Sequence, residues 1–136
     1  MQTISHHAAL IHVMVVASAA DGSMSDTELR AIGDLTKHLP VFRGFDETRL
    51  IGVSQECAEI LAEADGLDAV LGLIRESLPE HLRETAYWLA LEVILTDPHV
   101  AIEEIRVLEL LRRALDIDRL AAVALERGAR ARYQTA

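Results

Sequence analysis

Apolar residues recur along this chain at spacings of three and four, the period of a helix packed on one side. Seven segments carry that period, and none alternates as a strand would. The first, residues 4–20, is apolar nearly all round, which predicts a central buried helix. Asp21-Gly22 should end it, since Gly tolerates the left-handed conformation of a helix terminus. The second begins at Ser25. There "SDTE" reads as a capping box, with Ser25 as N-cap and Glu28 at the third helical position. Leu29, Ile32, Leu35 and Leu39 supply its stripe, and Pro40 stops it. A third helix is expected over 46–63, capped by Asp46, with Leu50, Val53, Cys57, Ile60 and Leu61 inward. The fourth, 67–78, faces inward through Leu67, Val70, Leu71, Ile74 and Leu78. Pro79 opens the fifth, 79–96, which turns wholly apolar in "YWLALEVILT" apart from Glu92. The sixth, 101–115, aligns Ile105, Leu108, Leu111 and Leu115, and the seventh covers 117–130. No linker or low-complexity stretch divides residues 1–136, so one all-α domain of about seven helices is expected.

Residues 13–39 align with 89–115 without gaps, at an offset of 76 that places Asp21 on Asp97. Glu28 then falls on Glu104, and Arg30 on Arg106. Leu29, Ile32, Leu35 and Leu39 fall on Ile105, Leu108, Leu111 and Leu115. Each copy is a buried helix, a short Asp turn, a Glu in the next first turn and a matched stripe. That pattern implies two pseudo-symmetric helix–turn–helix halves, with the first and fifth helices adjacent at the centre.

Composition narrows the partners. The chain is 51% hydrophobic but only 4% aromatic, so its core must be aliphatic. A net charge of −9 repels phosphate backbones, so nucleic acid is not an expected partner. It favours cations and basic surfaces. Cys57 is the one cysteine, which excludes a disulfide scaffold and fits a cytoplasmic protein. "MQTISHHAAL" has no basic leader region. The longest uncharged apolar run, residues 8–20, is too short to insert across a bilayer and carries His12 at its middle.

"AADGSMSDTELRAI", residues 19–32, looks like the end of an EF-hand loop. Ala17 and Ala19 stand where the first ligands should be, and Val93 and Leu95 in the second copy, so a full EF-hand is excluded on ligand count. Asp21 and Glu28 have a structural account as turn and cap, worth about 1 kcal/mol. Glu104 weighs against that account alone. Ala101 holds its cap position and has no hydroxyl, yet the Asp-to-Glu spacing is kept. The residues Asp21, Glu28, Asp97 and Glu104 are the candidate ligands, and carboxylate oxygens suit Ca²⁺, Mg²⁺ or Mn²⁺. Glu92 calls for an arginine partner or a groove. His12 reads as a hydrogen-bonded core or groove residue, Cys57 as core, and Arg127, Arg130 and Arg132 as charges at a helix C-terminus. The histidines show no spacing for zinc.

The stretch 19–32, with "LTDPHVAIEEIRVLELLRRALDID" as its partner, resembles the two halves of TerB-like proteins. These comprise the tellurite-resistance TerB family and the related domain that begins the DnaJ-like membrane chaperones. The likeness covers about 10–120. It departs at Pro98, where the family usually has Gly. The resemblance implies a helical bundle with an acidic surface that binds a divalent cation through Asp21, Glu28, Asp97 and Glu104. It also implies a stress-response role connected with tellurite resistance, alongside membrane-associated protein partners. The leading reading is thus a non-enzymatic interaction or cation-sensing module. Its alternatives are a metal-dependent hydrolase with carboxylate ligands, and a purely structural helical homodimer.

Overall fold

The computed structural model describes residues 3–19, 24–97, 100 and 102–136. Among them the chain forms seven α-helices and no strand. They are α1 (His6–Ser18), α2 (Asp26–His38), α3 (Leu50–Leu61), α4 (Gly66–Ser77), α5 (Arg83–Leu95), α6 (Ile102–Ala114) and α7 (Arg119–Arg132). The all-α bundle expected from the apolar pattern is the fold.

At its centre α1 packs on α5. Every residue of α1 from Ala9 to Ser18 is buried, as is α5 from Leu89 to Ile94. Over these stretches neither helix has a solvent face, which is why both are apolar nearly all round there. Each fully buried Leu, Ile, Val or Met contributes about 1.5–3 kcal/mol. α3, α4 and α6 surround α1, while α7, α2 and α6 surround α5. The halves therefore interlock: α6 lies on the first central helix and α2 on the second.

Local chemistry sets the boundaries. Ser5 caps α1 by accepting from the Ala8 N–H at 3.1 Å. Pro40 ends α2 as expected and opens a 3₁₀ turn, Pro40–Phe42. Phe42 and Phe45 there stack around His7, whose ring Nε2 lies 2.9 Å from the Val41 carbonyl oxygen. Asp46 caps a 3₁₀ turn, Glu47–Arg49, rather than α3 itself, accepting from the Thr48 amide at 3.0 Å and hydroxyl at 2.7 Å. Pro79 likewise precedes a 3₁₀ turn, Glu80–Leu82, and α5 begins only at Arg83. α6 closes in a Schellman motif. Ile117 N–H donates to Arg112 O at 3.0 Å and Asp116 N–H to Arg113 O at 3.1 Å. Asp116 takes the left-handed φ of 56° this needs, a conformation Asp tolerates better than most residues. Arg75 of α4 donates to Ala114 O at 2.8 Å, tying α4 to that terminus.

Two buried polar residues differ in fit. Cys57 is core, as expected, and burial pushes its thiol up to about 12. His12 is 1% exposed, but neither ring nitrogen has a hydrogen-bond partner among the described residues. Of the expectation of a hydrogen-bonded core or groove residue, the hydrogen bond is corrected and the groove is met: His12 lies at the floor of a cleft it shares with Glu56, Glu59 and Ile60, with Glu56 acting on it only through its charge. No helix among the described residues is long and apolar enough to cross a membrane.

Candidate functional site

The acidic helix starts come first. Ser25 and Glu28 form the expected reciprocal box: Glu28 N–H donates to Ser25 Oγ at 3.1 Å, and Ser25 N–H donates to Glu28 Oε1 at 2.9 Å. Glu28 is 5% exposed, so one carboxylate oxygen is engaged in capping at a buried helix start. A carboxylate has about four acceptor sites, so capping leaves acceptor capacity on the other oxygen. Glu104 is the third residue of α6, as Glu28 is of α2, and is equally buried at 4%. The repeat thus holds in burial as well as in sequence. Asp97 follows α5 and is half-buried. Asp21, and the turn around Pro98 where the second copy departs from the family, lie outside the described residues. Among the described residues no three His, Cys, Asp or Glu side chains are gathered closely enough to hold a metal. The geometry therefore places Glu28, Asp97 and Glu104 at equivalent helix junctions without assembling a cage from them.

Beside each acidic start lies an apolar groove. The first, of about 550 Å³, runs between α2 and α3. Val15 of α1 and Ala19 just after it floor it, Met24, Leu29 and Ile32 wall one side, and Ile51, Gln55 and Ala58 of α3 are among those on the other. The second, of about 490 Å³, runs between α6 and α7. It is lined by Leu91, Leu95, Val100, Ile105 and Leu108. These residues are the repeat partners of Val15, Ala19, Met24, Leu29 and Ile32, position for position. The correspondence in position extends to a third helix in each half: α3 walls the first groove and α7 the second.

The two grooves differ in charge. Among the described residues no charged side chain lines the first, whereas Arg106, Glu109, Glu126 and Arg130 line the second. The stripe expectation also needs correction here. Leu29 and Ile105 were expected inward, but they are 48% and 56% exposed on matching groove lips. α2 and α6 splay from their third helices, so the outer edge of each stripe meets an opening instead of a neighbour.

No family model, curated protein or solved structure matches the chain.

A third feature rests on Glu92. This 3%-exposed carboxylate of α5 opens onto a cleft of about 440 Å³ between α2 and the end of α7. Its Oε1 accepts from Arg132 Nε at 2.5 Å. Arg132 itself is mostly exposed and reaches in from the last residue of α7, beside Tyr133. Leu35, Leu39 and Trp88 make the apolar wall, with Asp34 and His38 at the rim. The sequence marked Glu92 as needing an arginine partner or a groove, and it has both. It did not identify which arginine, because Arg132 is forty positions away and reads locally as a helix-terminal charge.

Proposed function

We propose that this chain is a non-enzymatic, TerB-like interaction module that acts in the cytoplasm by docking protein partners in its apolar grooves. The observation that carries the reading is the pair Leu29 and Ile105. Large aliphatic side chains stay half exposed at equivalent places, each on the lip of a concave, mostly apolar groove of the kind that ligands and partner segments fill. By resemblance, the role is a stress response connected with tellurite resistance and with membrane-associated partners. The test is capture of partners by the intact chain and by Leu29→Glu and Ile105→Glu. Partners that depend on a groove are lost with the matching variant. An identical set retained by all three proteins would overturn the reading.

A cation at the acidic helix starts is a second reading, favoured by Glu104. It is held buried at the third position of α6, as Glu28 is in α2, so the two carboxylates stand at matching helix starts. Glu28 and Glu104, with Asp21 and Asp97, would supply the oxygens that Ca²⁺, Mg²⁺ or Mn²⁺ take. Titration calorimetry with each ion, against Glu28→Gln and Glu104→Gln, measures this. No heat and no thermal shift at millimolar ion removes it. The hydrolase alternative would draw on the cleft holding Asp34, His38 and Glu92, where Glu92 is already committed to Arg132.

A further inference from the structure

Among the described residues, His12 alone has buried side-chain nitrogens or oxygens without a hydrogen bond. Folded proteins leave few such groups, because each lowers stability. Burial lowers the pKa of His12, so the ring is neutral at pH 7. A neutral imidazole carries one N–H donor and one bare nitrogen that accepts.

The ring lies at the floor of a cleft of about 400 Å³, where the segment before α1 meets α3 and α4. Ile4, Ile60 and Leu73, all partly exposed, make its apolar walls. Glu56 and Glu59 of α3, exposed and one helical turn apart, make its charged side. No lysine or arginine among the described residues lines it. The next turns of α3 and α4 add Glu63 and Glu76, both exposed. Arg75, beside Glu76, is drawn away to Ala114 O at the end of α6. The charge around the cleft is therefore of one sign.

These features select the occupant. Two carboxylates facing an opening without a cation repel an anion and attract a positive charge. A bare metal ion is a poor guest, since no three His, Cys, Asp or Glu side chains gather closely enough among the described residues to hold one. It would also leave the apolar walls unused. A primary ammonium has three N–H donors, and the cleft offers three acceptors: two carboxylates and an imidazole nitrogen. We propose that this cleft binds a small primary amine, its ammonium shared among Glu56, Glu59 and His12 and its apolar body resting on Ile4, Ile60 and Leu73. Both ring nitrogens are covered from water in the unliganded protein, so the amine parts the apolar walls as it enters. The unpaired histidine is then a binding group kept at the expense of stability. None of these residues lines either docking groove or stands at the acidic helix starts.

Benzylamine and n-butylamine are the probes, with benzyl alcohol and benzoate as neutral and acidic counterparts. Calorimetry and NMR of the histidine ring nitrogens read binding to the intact chain at neutral pH, with the His12 signals assigned by their loss in His12→Leu. Both amines are expected to bind saturably at millimolar concentration or below and to shift the His12 ring. The alcohol and the acid do neither. Glu56→Gln and Glu59→Gln change exposed side chains and leave the fold intact, and each weakens amine binding by about tenfold, as loss of a charge-assisted hydrogen bond does. His12→Leu weakens it at least as much while melting at a higher temperature, so its loss of binding is not a loss of fold. No saturable His12 shift with either amine, an equal response to benzyl alcohol, or undiminished binding by His12→Leu or by both glutamine variants overturns the proposal.

Discussion

His12 sits in the middle of α1 with both ring nitrogens buried and unpaired among the described residues, and its replacement by leucine is expected to stabilise the protein. A buried polar group left without a partner costs about 1–3 kcal/mol. Leucine removes that cost, keeps a similar volume and adds apolar burial. A chain of 136 residues loses roughly 0.3 kcal/mol per degree near its midpoint, so the gain corresponds to a rise of about 3–10 °C. The same residue gives stability a pH dependence. Burial lowers the His12 pKa below its ordinary 6.5, and Glu56 only partly offsets this. Below that pH the unfolded chain takes up a proton that the folded chain resists. The contribution is therefore absent above about pH 6.5 and becomes destabilising as pH falls below it towards the folded pKa. Urea unfolding of both proteins across pH 5–8 measures the two effects together. His12→Leu should be more stable throughout, and the gap should widen below about pH 6.5. His7, whose pKa is also lowered by burial, titrates equally in both proteins and drops out of the difference. A variant less stable than wild type, or two parallel pH profiles, would refute the account of an unpaired core histidine.

Three further outcomes are expected. Ser25→Ala removes the cap that accepts from Glu28 N–H and should cost about 1 kcal/mol in chemical denaturation; no loss would mean the box is idle. Cys57 should resist a thiol reagent in the native state, since it is buried and its thiol is pushed up to about 12, and react fully in denaturant; fast native labelling would contradict its placement. Arg132→Ala should lower the urea midpoint by leaving the buried Glu92 carboxylate without its cation, and Glu92→Met should restore much of that loss in the double variant. Additive losses would show that the two residues do not act as a pair.

The helices, their caps and the central pair were legible because each rests on local chemistry. Ser25 and Glu28 are three residues apart, and a fully apolar run such as "ALIHVMVVA" can only be covered on all sides. The grooves were not legible. Whether Leu29 faces core or water depends on how far α2 splays from α3, and no spacing within α2 encodes that angle. The 3₁₀ turns before α3 and α5 escaped for a related reason: Asp46 and Pro79 suit the start of a tight turn as well as the start of an α-helix. The repeat did carry information beyond its helices. Applied to the groove lining, the same offset that pairs Glu28 with Glu104 pairs Leu29 with Ile105.

The interlocked centre also governs how the chain can be made. α1 is synthesised well before its principal neighbour, α5, is finished at Leu95. Until then a helix with no polar face has only α2, α3 and α4 to shield it. An emerging chain must therefore keep α1 loosely held, and the native core closes late, through contacts distant in sequence. A fragment ending before α5 would be sticky rather than half-folded. The two halves resemble each other, but neither has an inside of its own.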